Sequence, residues 1–323
     1  MTRRTAMITG IRGQDGSYLA ELLDAQGYAL VGTSHDPDSS GKFAVPGGQV
    51  APLEALDLSD QSQIEALLQR YRPDEIYNLA ARSSSAQLFD DPLATAEING
   101  VAAVRFLEAI RQFSPTTRFC QAASSELFAG CECSPQDEST PYRPLNAYGA
   151  AKAYAANIVA AYRASHGLFA TTAILFNHES PRRGDEYVTR KITRTVAQIA
   201  LGRAQELTLG NLESRRDWGF AGDYAEAMSQ MLKQDSPADY VIATGQTHSV
   251  GEFCEIAFAH VGLDYRDFVR IDPRWARRTE SIELCGNPAQ ARARLGWQPS
   301  IDFPALVRMM VDADLQRLQN PTS

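Results

Sequence analysis

The chain has 323 residues, with 31 Lys and Arg against 39 Asp and Glu, a net charge of −8 and 44% hydrophobic residues. That length can bury a large core in two intertwined lobes, and the acidic balance argues against nucleic acid or an anionic membrane as the main partner while leaving room for a small anionic ligand. The five cysteines are odd in number and form no paired Cys-x-x-Cys units, no signal-peptide core follows Thr2-Arg3-Arg4, and no apolar run reaches the ~18 residues of a membrane span, so a reduced, cytoplasmic protein is expected.

Residues 5–9 predict a strand that runs into Gly10-Ile11-Arg12-Gly13-Gln14-Asp15-Gly16 and then into a helical pattern from Ser17. Strand, glycines and helix in that order form a dinucleotide site. Gly10 permits the tight turn, Gly13 lets the backbone approach a pyrophosphate, Gly16 permits close packing, and the helix N-terminus, with Gln14 and Asp15, faces the phosphates. A second strand over 28–34 ends at His35-Asp36, where the adenosine ribose would lie. An acid there favours an unphosphorylated ribose and His35 leaves a 2′-phosphate open, so the cofactor is NADP or NAD; a plain turn over 36–39 accounts for the same residues.

Glycines and prolines predict a loop over 41–52, followed by a strand over 53–58 whose end, Asp57-Leu58, meets the adenine. A helix over 61–70 and a strand over 75–81 follow, the latter ending at Leu79-Ala80-Ala81 beside the cofactor and leading to Arg82-Ser83-Ser84-Ser85 at the pocket. The helix near 94–112 carries a core stripe of Ile98, Val101, Val104, Phe106 and Leu107. This alternation predicts an α/β fold with a doubly wound parallel sheet, the Rossmann arrangement.

A buried strand from Thr117 ends near Ser124-Ser125-Glu126, and after a Pro-rich loop come Asn146-Ala147-Tyr148 and Lys152. On a helix, Tyr148 and Lys152 share a face, so the ammonium can sit beside the phenol and favour its ionised form. A free phenol ionises near pH ~10, so a base working near neutral pH needs about 4 kcal/mol of differential stabilisation. Ser124 would hydrogen-bond a substrate oxygen alongside Tyr148, and Glu126 would take a proton from a neighbouring carbon. A polar loop with a helix cap is the plainer reading of Ser124 and Glu126.

The strand over 170–176 empties into Asn177-His178-Glu179-Ser180-Pro181-Arg182-Arg183-Gly184, and a helix starts near Val188. Arg182, Arg183, Arg190, Lys191 and Arg194, with the pairs Arg215-Arg216 and Arg277-Arg278, concentrate positive charge in an acidic chain and suit an anionic ligand. Residues 295–300 predict a helix end leading to a strand, before a last helix over 303–318. The expected division is a dinucleotide-binding domain over 1–176, with the chain returning at about 206–248, and a smaller α/β substrate-binding domain over about 177–205 and 249–323.

Residues 9–23, 175–184, 188–192 and 209–212, with Arg216-Asp217-Trp218-Gly219, resemble the extended short-chain dehydrogenase/reductase superfamily. Within it the chain is similar to the GDP-mannose 4,6-dehydratase family over nearly its whole length. The resemblance implies that Ser124 stands where the family has a catalytic threonine, that Glu126 matches its acid/base, and that Tyr148 and Lys152 match its active pair. It also implies that Asn177, Val188, Lys191, Arg216, Arg277 and Glu280 match positions holding the nucleotide diphosphate, with Val188 and Lys191 toward guanine, and Arg183 lies in the same basic segment. The implied reaction is a redox-neutral dehydration of a GDP-sugar, with NADP or NAD tightly bound and recycled and no metal required.

Two departures qualify the match. Family members carry paired arginines after the second strand, serving NADP binding and a tetramer contact, where this chain has His35-Asp36, so a homodimer stands beside a homotetramer. Ser84 and Ser85 are smaller and more polar than the family's residues there, which makes GDP-manno-heptose a rival to GDP-mannose. A 4-keto-sugar reductase is the rival enzyme, and a non-catalytic cofactor sensor the rival without chemistry. Glu126 discriminates between dehydratase and reductase, since a plain reductase needs no acid at an elimination centre.

Overall fold

The computed structural model describes residues 3–36, 41–83, 91–275 and 283–320. The first half runs β1 (Thr5–Thr9), α1 (Gln14–Ala25), β2 (Ala29–Ser34), β3 (Gly41–Ala44), β4 (Val50–Ala55), α2 (Gln61–Tyr71), β5 (Glu75–Asn78), α3 (Pro92–Ala96), α4 (Ala102–Phe113), β6 (Arg118–Ser124) and α5 (Ala147–His166). The second half runs β7 (Ala170–Leu175), β8 (Asn177–Glu179), α6 (Val188–Ala200), β9 (Leu207–Leu209), β10 (Arg215–Arg216), β11 (Trp218–Phe220), α7 (Ala221–Met231), β12 (Tyr240–Ile242), β13 (His248–Ser249), α8 (Val250–His260), α9 (Tyr265–Phe268), β14 (Val269–Ile271), α10 (Ala289–Leu295) and α11 (Phe303–Gln319).

Eight strands form the central sheet in the order β12-β7-β6-β5-β1-β2-β4-β3. Every pairing is parallel except that of β3 with β4. Successive strand side chains leave opposite faces, so in β1 Ala6 and Ile8 enter one core while Met7 enters the other. The first core is closed by Leu19 and Leu23 of α1 and Tyr224 and Met228 of α7; the second by Ile64 of α2, Phe106 and Ile110 of α4 and Val159 of α5. The expected doubly wound α/β architecture is present, with helices on both faces of a parallel sheet.

A third core gathers Ile192 and Val196 of α6, Phe253 and Phe258 of α8, and Leu306 and Met310 of α11 around Trp218. It is joined to the sheet through β8, which follows β7 almost directly and pairs in parallel with β11, Asn177 opposite Trp218. Helix ends follow local chemistry. Asp60 caps α2 by accepting from the Ser62 and Gln63 amides, and Gly167, at φ 66°, ends α5 in a left-handed turn.

Three expectations are corrected. Residues 41–52 are not all loop, because β3 and β4 form an antiparallel hairpin joined by a turn over 45–49, with Gly47 at φ 70°. The turn residues masked the pairing of their flanks. The helix near 94–112 is broken by a π turn over Glu97–Val101, and residues 297–302 are not a strand. The side chains after α10 are held instead by Asp223, whose carbonyl accepts from Trp297 Nε1 at 2.8 Å and whose carboxylate accepts from Ser300 Oγ at 2.5 Å. All five cysteines are free thiols, and among the described residues no helix is long and apolar enough to cross a membrane.

Candidate active site

The C-terminal ends of β1 and β5 meet at a glycine turn. Gly10, at φ 68°, donates its amide to the Thr33 carbonyl at 3.2 Å, and a Cβ there would lie 3.1 Å from the Ala80 Cα. Thr9 Oγ1 accepts from the Leu79 and Ala80 amides at 2.9 and 3.0 Å, which ties the two strand ends together. Gly13 is the N-cap of α1 and supplies no side-chain cap, so the first turn of α1 presents backbone amides. That arrangement fits a dinucleotide pyrophosphate, which a helix N-terminus and close backbone approach both favour.

A Cβ on Gly16 would lie 2.4 Å from the Gly10 carbonyl oxygen and 2.7 Å from the Ile11 Cα, both backbone atoms that cannot turn aside. Gly16→Ala is therefore expected to destabilise the fold by about 1–3 kcal/mol and to weaken nucleotide binding in parallel, as measured by thermal melting with and without cofactor. His35 and Asp36 are exposed at the end of β2, and Leu58 is buried in the second core. Asp57 accepts from the Ser59 hydroxyl at 2.7 Å and its amide at 2.8 Å, and these bonds hold its carboxyl below its ordinary value.

Ser124 ends β6 and accepts the Glu126 amide at 3.3 Å, capping a single 3-10 turn over Ser125–Phe128. Glu126 is half-buried, and its Oε2 accepts from Asn146 Nδ2 at 2.7 Å. Asn146 is the N-cap of α5, its Oδ1 accepting the Gly149 amide at 2.7 Å, so the helix that carries Tyr148 and Lys152 starts against Glu126. Tyr148 is half-buried and hydrogen-bonded to Ser124. The structure thus brings Ser124, Glu126 and Tyr148 to one strand end.

Lys152 departs from expectation. It is buried, its Nζ donates to the Ala122 carbonyl at 2.8 Å and lies 5.9 Å from the Tyr148 ring centroid. Burial lowers the ammonium to about 8, with the Asp15 carboxylate opposing. Burial also pushes the Tyr148 phenol above its ordinary value, outweighing the Ser124 hydrogen bond and the Arg183 charge. The protein's own groups therefore hold the phenol up, because the same dry site that orders the pair disfavours both charged forms.

Asp15 and His178 join the glycine turn to the segment after β7. His178 Nε2 is 3.0 Å from Asp15 Oδ1 and its Nδ1 is 2.7 Å from the Phe176 carbonyl oxygen, two acceptors that a ring satisfies fully only when both nitrogens carry protons. Burial alone would lower the His178 value, but Asp15 raises it, while Asp15, against its own burial, is held at about 2 by His178 and Arg183. The stabilisation is complete above the ordinary carboxyl value and below the ordinary imidazole value; it is lost as pH rises through the raised value of His178, or falls through about 2. Melting temperatures taken as pH rises from the ordinary imidazole value are expected to fall more steeply for the wild type than for His178→Gln.

On the substrate side, Arg183 stacks over the Tyr187 ring at 3.5 Å and its Nε lies 3.2 Å from Glu179 Oε2. The Tyr187 hydroxyl donates to the Ser83 carbonyl at 3.0 Å and is 3.2 Å from Ser83 Oγ, so this tyrosine bridges two loops. Val188 and Lys191 lie within the first turn of α6, Val188 exposed and Lys191 half-buried, while Asn177 and Arg216 are half-buried on β8 and β10. Ser84, Ser85, Arg277 and Glu280 lie outside the described residues.

Sequence reasoning missed several supporting side chains. Asn99 exchanges hydrogen bonds with the backbone of Arg82 at 2.9 and 3.0 Å and so fixes the chain beside Ser83. His178 and Tyr187 act across more than a hundred residues of sequence, a distance at which no local pattern announces a partner. Asn146 had a local signal, as an Asn directly before a helix.

The family described as GDP-mannose 4,6 dehydratase matches the chain over residues 7–310. A relative from Arabidopsis thaliana, GDP-mannose 4,6 dehydratase 2, is 44% identical over an alignment covering 97% of this chain and 87% of that one. Among solved structures, the UDP-glucose 4-epimerase of Thermus thermophilus in complex with NAD has a TM-score of 0.81 at 25% identity, covering 96% of this chain and 98% of that one. RMD from Pseudomonas aeruginosa complexed with NADPH has a TM-score of 0.82 at 23% identity over 98% of each chain, a likeness of fold.

Proposed function

The chain belongs to the GDP-mannose 4,6 dehydratase family, and on that premise we propose that it is a hydro-lyase converting GDP-mannose to GDP-4-keto-6-deoxymannose. The observation that carries this reading is the carboxylate of Glu126, held two residues beyond Ser124 and against the helix bearing Tyr148, since elimination needs an acid/base that simple keto-reduction does not. The glycine turn and the uncapped start of α1 would hold NAD or NADP, with Asp36 at the end of β2 favouring the unphosphorylated ribose. When bound, the cofactor supplies a hydride acceptor, later the hydride itself, and in its oxidised form a positive charge favouring the ionised phenol.

Tyr148 takes the proton of the C4 hydroxyl as that carbon is oxidised, and Ser124 holds the same oxygen. The C4 ketone then acidifies the C5 proton, which Glu126 removes and delivers to the C6 hydroxyl, so that water departs and a 4-keto-5,6-ene remains. Reduction at C6, and protonation at C5 that is balanced by release of the proton Tyr148 took from the C4 hydroxyl, complete a redox-neutral cycle. Lys152, anchored on the Ala122 carbonyl, supports the charge developing at Tyr148. Asn177, Arg183, Val188, Lys191 and Arg216 hold the nucleotide diphosphate, the arginines matching its charge.

Incubating the purified protein with GDP-mannose and no added cofactor is expected to give a product lighter by one water, with no net oxidation or reduction. Failure to lose water even with NAD and NADP added, together with stoichiometric consumption of reduced cofactor on a 4-keto sugar, would overturn the proposal in favour of a reductase.

A further inference from the structure

Asparagine, aspartate and serine are comparable helix caps, so capping α5 does not by itself call for an asparagine. Asn146 does two things at once. Its Oδ1 accepts the Gly149 amide at 2.7 Å and its Nδ2 donates to Glu126 Oε2 at 2.7 Å. The Gly149 amide can only donate, which forces the side-chain oxygen toward the helix and the amide nitrogen toward the carboxylate. Both partners therefore agree on a single orientation of the side chain.

The backbone around this contact is equally constrained. A Cβ on Gly149 would lie 2.7 Å from the Glu126 carbonyl oxygen, so the first turn of α5 abuts the 3-10 turn directly. The Glu126 amide is itself held by Ser124. One asparagine thus couples the carboxylate to the helix start that also places Tyr148, two residues further on.

We propose that Asn146 is a positioning residue that sets the orientation of the Glu126 carboxylate relative to Tyr148. This rests on the acid/base role of Glu126 given above. A neutral amide presents only N–H to the carboxylate, so the contact fixes which way the carboxylate is turned. It engages Oε2, one of the two carboxylate oxygens. A serine at this position would still cap the helix and donate nothing to Glu126 at the same time.

The test compares Asn146→Ser, Asn146→Asp and Glu126→Gln in the full-length holoenzyme with GDP-mannose, following kcat, KM and pH dependence. Asn146→Ser is expected to melt close to the wild type, keep KM, and lose about 10- to 100-fold in kcat, the scale of a misplaced catalytic group. Asn146→Asp keeps the cap but offers a donor only while its carboxyl holds a proton, so its loss relative to the wild type should shrink as pH falls. A merely structural cap would be supplied by either substitution and would leave turnover unchanged at every pH. Wild-type kcat and pH profile in both Asn146 variants, with Glu126→Gln inactive, would overturn the positioning role alone; full turnover in Glu126→Gln would instead overturn the role of Glu126.

Discussion

Glu126→Gln is expected to lower turnover of GDP-mannose about 10³-fold with little change in KM, within the range ascribed to a single acid/base group. The substitution is gentle to the fold, because the new side chain keeps an oxygen that can accept from Asn146 Nδ2, where Glu126 now accepts at 2.7 Å. In the proposed mechanism it loses the capacity to take a proton from C5 and return it to the leaving hydroxyl. Oxidation at C4 is there assigned to Ser124 and Tyr148, which are untouched, so the variant should stall after that step. The near-ultraviolet absorbance of reduced nicotinamide should then build up on the enzyme in proportion to its active sites. Unchanged turnover would remove Glu126 from the elimination.

Tyr148→Phe should cost at least as much, about 10³-fold or more, and should stall one step earlier, with no reduced nicotinamide accumulating. The contrast between the two variants orders the chemistry. Burial pushes the Tyr148 phenol above its ordinary value, against the Ser124 hydrogen bond and the Arg183 charge. A base whose ionised form is scarce near neutrality becomes more available as pH rises, so wild-type turnover should climb with pH through the neutral range. The residual activity of Tyr148→Phe should lack that climb. A variant that keeps the climb would assign it to another group.

The placement of Lys152 carries a physical lesson. Spacing along a helix puts its ammonium on the side of Tyr148, and the two are indeed neighbours, with Nζ 5.9 Å from the ring centroid. Spacing carries no information about solvent. Once β6 and α5 have closed around the lysine, desolvation outweighs the Asp15 carboxylate and lowers the ammonium, and Nζ donates to the Ala122 carbonyl.

Much of this protein was legible from its residues alone, where the determinants are local. The alternation of strands and helices predicted the parallel sheet, the spacing of Gly10, Gly13 and Gly16 predicted a strand–turn–helix for a dinucleotide, and the stretch from Ser124 to Lys152 carried the candidate catalytic groups, because each of these patterns is written in local sequence. The hairpin of β3 and β4 was hidden because Pro46, Gly47 and Gly48 read as loop and masked the short strands that flank them. Only the tertiary structure decided which distant groups meet: Asp15 with His178, Ser83 with Tyr187, Asn99 with the backbone of Arg82. It also decided which charges are stabilised and which are suppressed, because hydrogen-bond partners and desolvation depend on what the fold packs around a side chain rather than on what precedes it in the chain.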